Sequence, residues 1–115
     1  MSGAERRTAE RFDARIPIEY QAGEGDFLFE NTENISKGGL FVATPTPEKL
    51  GTVLELRFKN PGTDESIKVE GEVVWANDPE DGKDHPNPGM GIQFLKMDEE
   101  TKEAVLRLVG AIAYI

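Results

Sequence analysis

In Gly51-Thr52-Val53-Leu54-Glu55-Leu56-Arg57-Phe58, an extended backbone puts Val53, Glu55 and Arg57 on one face and Leu54, Leu56 and Phe58 on the other. Ile67, Val69, Gly71, Val73 and Trp75 repeat that alternation against Lys68, Glu70 and Glu72, so a second, longer half-buried strand ends at Trp75-Ala76. Between them Asn60-Pro61-Gly62-Thr63-Asp64-Glu65 turns the chain. The same reading predicts strands over 15–20, 27–36, 39–44 and 89–95. Pro17 keeps the first of these at an edge or a start, and Pro45 and Pro47 stop the third. Residues 77–88 read as a loop rich in Asp, Pro, Gly and Asn. Asp98 is an N-cap candidate, Glu99 and Glu100 suit a first helical turn, and Val105, Leu108, Val109 and Ile112 recur at helical spacing. Six or seven short strands followed by one helix predict a mainly β fold, a closed antiparallel barrel with a helix docked against it. The expected organisation is an N-terminal arm over 1–14, the barrel and helix over 15–110, and an apolar tail over 111–115.

The 115 residues are enough for one domain, and 37% apolar with 30% charged side chains fits a globular protein. Without cysteine there is no disulfide framework and no thiolate metal site. No apolar run approaches the ~20 residues that cross a bilayer, and the N-terminus lacks the apolar segment of a signal peptide, so a cytoplasmic location is expected. The net charge of −9 argues against DNA or RNA partners and against membrane association. Four of the six arginines (Arg6, Arg7, Arg11 and Arg15) nevertheless lie in the first 20 residues, where four acids balance them.

Two stretches carry candidate chemistry. In Glu33-Asn34-Ile35-Ser36-Lys37-Gly38-Gly39-Leu40-Phe41, Asn34 and Ser36 share a face of an extended chain, and the lysine and glycines that follow predict a turn tolerant of positive φ. In Arg7-Thr8-Ala9-Glu10-Arg11 two guanidinium groups stand four residues apart, planar cations that fork onto phosphate oxygens and stack on flat rings. Solvated charges on a terminal arm are the bland alternative. Enzyme chemistry is poorly supplied: His85 is the sole histidine, and no carboxylate pair has an apolar setting that would shift its pKa. Asn77-Asp78-Pro79-Glu80-Asp81-Gly82 lacks the ligand order of a calcium loop, and Trp75, more often a core or barrel-rim residue than a ligand platform, keeps an open role.

Arg7-xxx-Arg11, a first strand and then Asn34-x-Ser36-x-x-Gly39 resemble the PilZ domain family, whose signature is RxxxR followed by (D/N)xSxxG. Gly71-Glu72-Val73-Val74-Trp75 and Gly89-Met90-Gly91-Ile92-Gln93-Phe94 extend the resemblance over about residues 5–109. It implies a six-stranded barrel and a non-enzymatic receptor for cyclic di-GMP. Arg7 and Arg11 would grip phosphates and stack on guanine, with Arg6 assisting, while Asn34, Ser36 and Gly39 would meet a guanine edge or adjacent backbone. Arg11-Phe12-Asp13-Ala14-Arg15 has the same spacing, so Arg15 replaces Arg7 in the other register. The resemblance further implies a conformational change read by an effector protein, in control of motility or surface behaviour, by a monomer or homodimer needing no cofactor or metal. The alternative it leaves open is a protein-interaction module that binds no nucleotide.

Overall fold

The computed structural model describes residues 11–82 and 87–113. Its strands are β1 (Phe12–Asp13), β2 (Pro17–Ala22), β3 (Leu28–Ser36), β4 (Gly39–Ala43), β5 (Val53–Lys59), β6 (Ser66–Asn77) and β7 (Gly89–Phe94), followed by helix α1 (Glu99–Ala113). Neighbouring strands pair β3–β2–β5–β6–β7–β4, all antiparallel, and β4 pairs back onto β3. That last pairing closes a six-stranded barrel in which each of the six strands is paired on both sides. The stub β1 continues the path of β2 along β3: Asp13 lies opposite Asn34, and after an irregular step Pro17 lies opposite Asn31. The proline therefore sits at a strand start, where its missing N–H costs no ladder bond.

The alternating residues of the sequence become the barrel lining. Ile18, Tyr20, Leu40, Val42, Leu54, Leu56, Val73 and Ile92 are each at most 2% exposed, and burying a side chain of this size stabilises by roughly 1.5–3 kcal/mol. Tyr20 brings its hydroxyl into this interior without a hydrogen-bond partner of good geometry, and burial raises its pKa.

Helix α1 adds Ala104, Val105 and Leu108 to the core. Asp98 caps it, its Oδ1 accepting from the Thr101 N–H at 2.7 Å, and that bond holds the carboxyl below the usual aspartate range. Arg107 donates from Nη2 and Nε to the two carboxylate oxygens of Glu65 at 2.7 and 3.2 Å, tying the helix to the turn before β6. The helix runs on to Ala113, beyond the end expected near Gly110. Val109 and Ile112 pack against the core on either side of that glycine, and tertiary packing of this kind outweighs its low helix propensity.

The arm expected over 1–14 also begins to pair earlier than its boundary, since Phe12 and Asp13 already bond to β3. Arg6, Arg7, His85 and the last two residues of the expected tail lie outside the described residues. Among the described residues no helix is long and apolar enough to cross a membrane, and no group of three metal-binding side chains converges.

Candidate functional site

The polar motif lies on the wall where β1, β3 and β4 run side by side. Thr32 is 1% exposed, so strict alternation would turn Asn34 inward and Ile35 out. A bulge between Thr32 and Asn34 inserts one extra residue on β3, so that Ile35 is fully buried while Asn34 faces out. Arg11 then reaches across from the residue before β1, its Nη1 donating to Asn34 Oδ1 at 2.8 Å.

Thr32 organises the chain opposite. Its hydroxyl accepts from the Ile16 N–H at 3.0 Å and donates to the Ala14 carbonyl at 2.6 Å, bridging the irregular step between β1 and β2. The backbone bonds Ala14 N to Glu33 O and Thr32 N to Ile16 O, both 3.0 Å, complete the bridge. Arg15, carried on that step, is exposed beside Asp13 and Glu33 on an outer cleft of about 410 Å³. In the sequence Thr32 gives no signal of this role, since a threonine between Asn31 and Glu33 in a strand is silent until its partners are known.

Ser36 and Gly39 shape the turn. The Ser36 hydroxyl, 3% exposed, accepts from the Gly38 N–H at 3.2 Å and donates weakly to the Gly39 carbonyl at 3.4 Å. The expected positive φ is not found here: among the described residues the glycines with that conformation are Gly23, Gly51 and Gly82. Gly39 is required for space instead, because a Cβ would overlap the Ile92 carbonyl oxygen of the neighbouring strand.

A second bulge, between Val73 and Trp75 on β6, overturns the alternation that ran Trp75 on with Val73. Val73 is fully buried, whereas Trp75 is turned to the outer wall and is 45% exposed. There it stacks on Phe41, ring centroids 5.1 Å apart and planes 21° apart, over Gly91, whose Cβ would overlap the indole. The bulges bring these groups into one cross-strand row. Asp13 is opposite Asn34, Asn34 opposite Phe41, Phe41 opposite Gly91, and Gly91 opposite Trp75. Partners in such a row lie about 5 Å apart at Cα, so the Asp13 backbone, the Asn34 amide with the Arg11 guanidinium bonded to it, and the outward-turned indole lie along one path over neighbouring strands.

The family model for the PilZ domain matches residues 5–111. The chain belongs to the PilZ domain family. Comparison with curated protein sequences gives no match. Among solved structures, the barrel is similar to the PilZ domain of CeSA from a cellulose-synthesizing bacterium, with TM-score 0.70 and 23% identity over 90% of this chain and 98% of that one. It is similar to the PilZ domain of YcgR from Escherichia coli, solved with c-di-GMP, with TM-score 0.76 and 13% identity over 95% and 92%. The Bacillus subtilis inhibitor of motility MotI/DgrA gives TM-score 0.72 and 19% identity over 95% of this chain and 52% of that one. At these identities the likeness speaks to the PilZ fold alone.

Proposed function

We propose that this PilZ domain is a non-enzymatic receptor for cyclic di-GMP, bound on the outer wall along the row from Asn34, to which Arg11 is bonded, to Trp75. The observation that carries the reading is the Arg11–Asn34 hydrogen bond, which joins the arginine segment to the NxSxxG segment although 23 residues separate them. A dianion with two flat bases needs forked cations, fixed hydrogen-bonding groups and a stacking surface. Here Arg11 serves the phosphates, Asn34 a guanine edge, and the open face of Trp75 stacks a base, in a contact worth ~1–3 kcal/mol. Ser36 and Gly39 act by holding the turn in shape. Arg15 stands four residues from Arg11 and lines an outer cleft with Asp13, the residue opposite Asn34, which favours it as the second cation; Arg7, with Arg6 beside it, is the competing choice. The PilZ domain of YcgR, solved with c-di-GMP, supports the ligand class. The bound form would order the arginine segment against the barrel and present a surface to an effector protein in the cytoplasm, in control of motility or surface behaviour.

Isothermal calorimetry with cyclic di-GMP tests the reading on wild type, Arg11→Ala, Ser36→Ala, Arg15→Ala and Arg7→Ala. Loss of a charge-assisted bond, about 1.5–3 kcal/mol, predicts a roughly 10- to 150-fold weaker Kd for Arg11→Ala. The larger of the Arg15→Ala and Arg7→Ala effects identifies the register. Equal heats from all five proteins would remove the site assignment.

A further inference from the structure

The chain of β1 and β2 runs along β3 with one residue too many. Between the pairs Asp13–Asn34 and Pro17–Asn31, three of its residues, Ala14, Arg15 and Ile16, stand against two of β3, Thr32 and Glu33. An unmatched residue of this kind interrupts the ladder, and nothing in the ladder itself dictates at which position it is taken up. One side chain fixes that position. The Thr32 hydroxyl donates to the Ala14 carbonyl at 2.6 Å and accepts from the Ile16 N–H at 3.0 Å, so both neighbours of Arg15 are bonded to a single oxygen. Thr32 and Ile16 are 1% and 4% exposed, which keeps bulk water from replacing that oxygen.

The consequence reaches Arg11. With Asp13 opposite Asn34, Arg11 stands two residues back on the same face and diagonally across from the amide, a separation that a long side chain spans. Its Nη1 does so at 2.8 Å. Were the extra residue taken up on the other side of Asp13, β1 would move one position along β3 and each of its side chains would change face. Arg11 would then point away from Asn34. We infer that Thr32 is a positioning residue of the nucleotide site: its hydroxyl sets the register of β1 on β3 and so brings the Arg11 guanidinium to the Asn34 amide before any ligand arrives. A cation already in place loses less freedom on binding, and affinity rises accordingly. The inference deepens the receptor reading and rests on it for the ligand, whereas the register and the Arg11–Asn34 bond belong to the free protein.

The test uses the full chain as wild type, Thr32→Val, Thr32→Ser and Arg11→Ala. Leu54→Val, a substitution of a fully buried residue opposite Ala22 at the far end of β2, controls for lost stability alone. In nucleotide-free ¹⁵N spectra the Asn34 side-chain amide should move in Thr32→Val to where Arg11→Ala puts it. Thr32→Ser, which keeps the hydroxyl, should return it to its wild-type position. In calorimetry with cyclic di-GMP, Thr32→Val should bind about tenfold more weakly, the lower end of the loss expected for Arg11→Ala, while Thr32→Ser and Leu54→Val stay within about twofold of wild type. Because Thr32 acts through Arg11, Thr32→Val should add less than about threefold in the Arg11→Ala background. A wild-type Asn34 signal in Thr32→Val, an equal loss of affinity in Leu54→Val, or full multiplication of the two losses in the double variant would overturn the inference. Should the wild type itself take up no nucleotide, the receptor reading falls, and the Asn34 signal in the free proteins decides whether Thr32 sets the register.

Discussion

The bulge in β3 before Asn34 and the bulge in β6 before Trp75 are one backbone device applied to side chains of opposite character. Each adds a residue, reverses the in-out alternation from that point on, and delivers its side chain to the same cross-strand row. Their supports differ. Asn34 stands beside a turn and a strand junction held by hydrogen bonds from Ser36 and Thr32, with Gly39 pressed against the backbone of β7. Trp75 is held by ring stacking and by the bare face of Gly91, contacts that a side chain makes and a side chain can leave. The polar end of the row is thus fixed by backbone, and the aromatic end by adaptable packing.

The largest expected effects probe the polar end. In Gly39→Ala the new methyl meets the Ile92 carbonyl oxygen and approaches the Gln93 Cα to 3.2 Å, and a closed barrel cannot yield there. A loss of about 3 kcal/mol or more is expected in denaturant unfolding; a wild-type midpoint would break the contrast between the two ends. Thr32→Val keeps the shape but leaves the Ile16 N–H and the Ala14 carbonyl without their buried partner, an expected cost of about 1–3 kcal/mol.

At the aromatic end the balance between stability and binding reverses. Gly91→Ala meets the indole first, and the indole can swing outward, so the melting temperature should fall less than in Gly39→Ala while the emission of the sole tryptophan shifts. Trp75→Ala should weaken cyclic di-GMP by about 1–3 kcal/mol in calorimetry, the value of one stacked base, with little change in folding. An unchanged affinity would restrict the ligand to the polar end.

The smallest effect lies away from the row. The Asp98 carboxyl has a folded pKa below its unfolded value of about 3.9. Its contribution is therefore present above that value and is lost as pH falls through the folded pKa. Asp98→Asn should flatten the acid limb of the stability profile below about pH 4 and leave the row unaffected. The same acid-side loss is expected for Glu65, held low by Arg107.

Much of this architecture was legible in the chain. Leu54, Leu56 and Phe58 line the barrel as their alternation requires, Asp98 caps α1, and the glycines of β7 mark close approach of neighbouring groups. The resemblance to the PilZ signature implied that Arg11 and Asn34 meet one ligand, and a hydrogen bond joins the two side chains. The outward turn of Trp75 and the bridging role of Thr32 were not legible, because a bulge is set by two strands jointly and a bridging hydroxyl by partners 16 and 18 positions away.

By itself the sequence determined the class of fold and the residue types of the polar turn, since period-two burial, turn chemistry and capping are local and act through neighbours in the chain. The tertiary structure decided which faces those residues present. Register across β3, β4, β7 and β6 is a property of paired backbones, and only pairing could turn Asn34 and Trp75 outward into one row. Closure likewise explains why Gly39 must lack a side chain, for the carbonyl that excludes it belongs to Ile92, more than 50 residues further along.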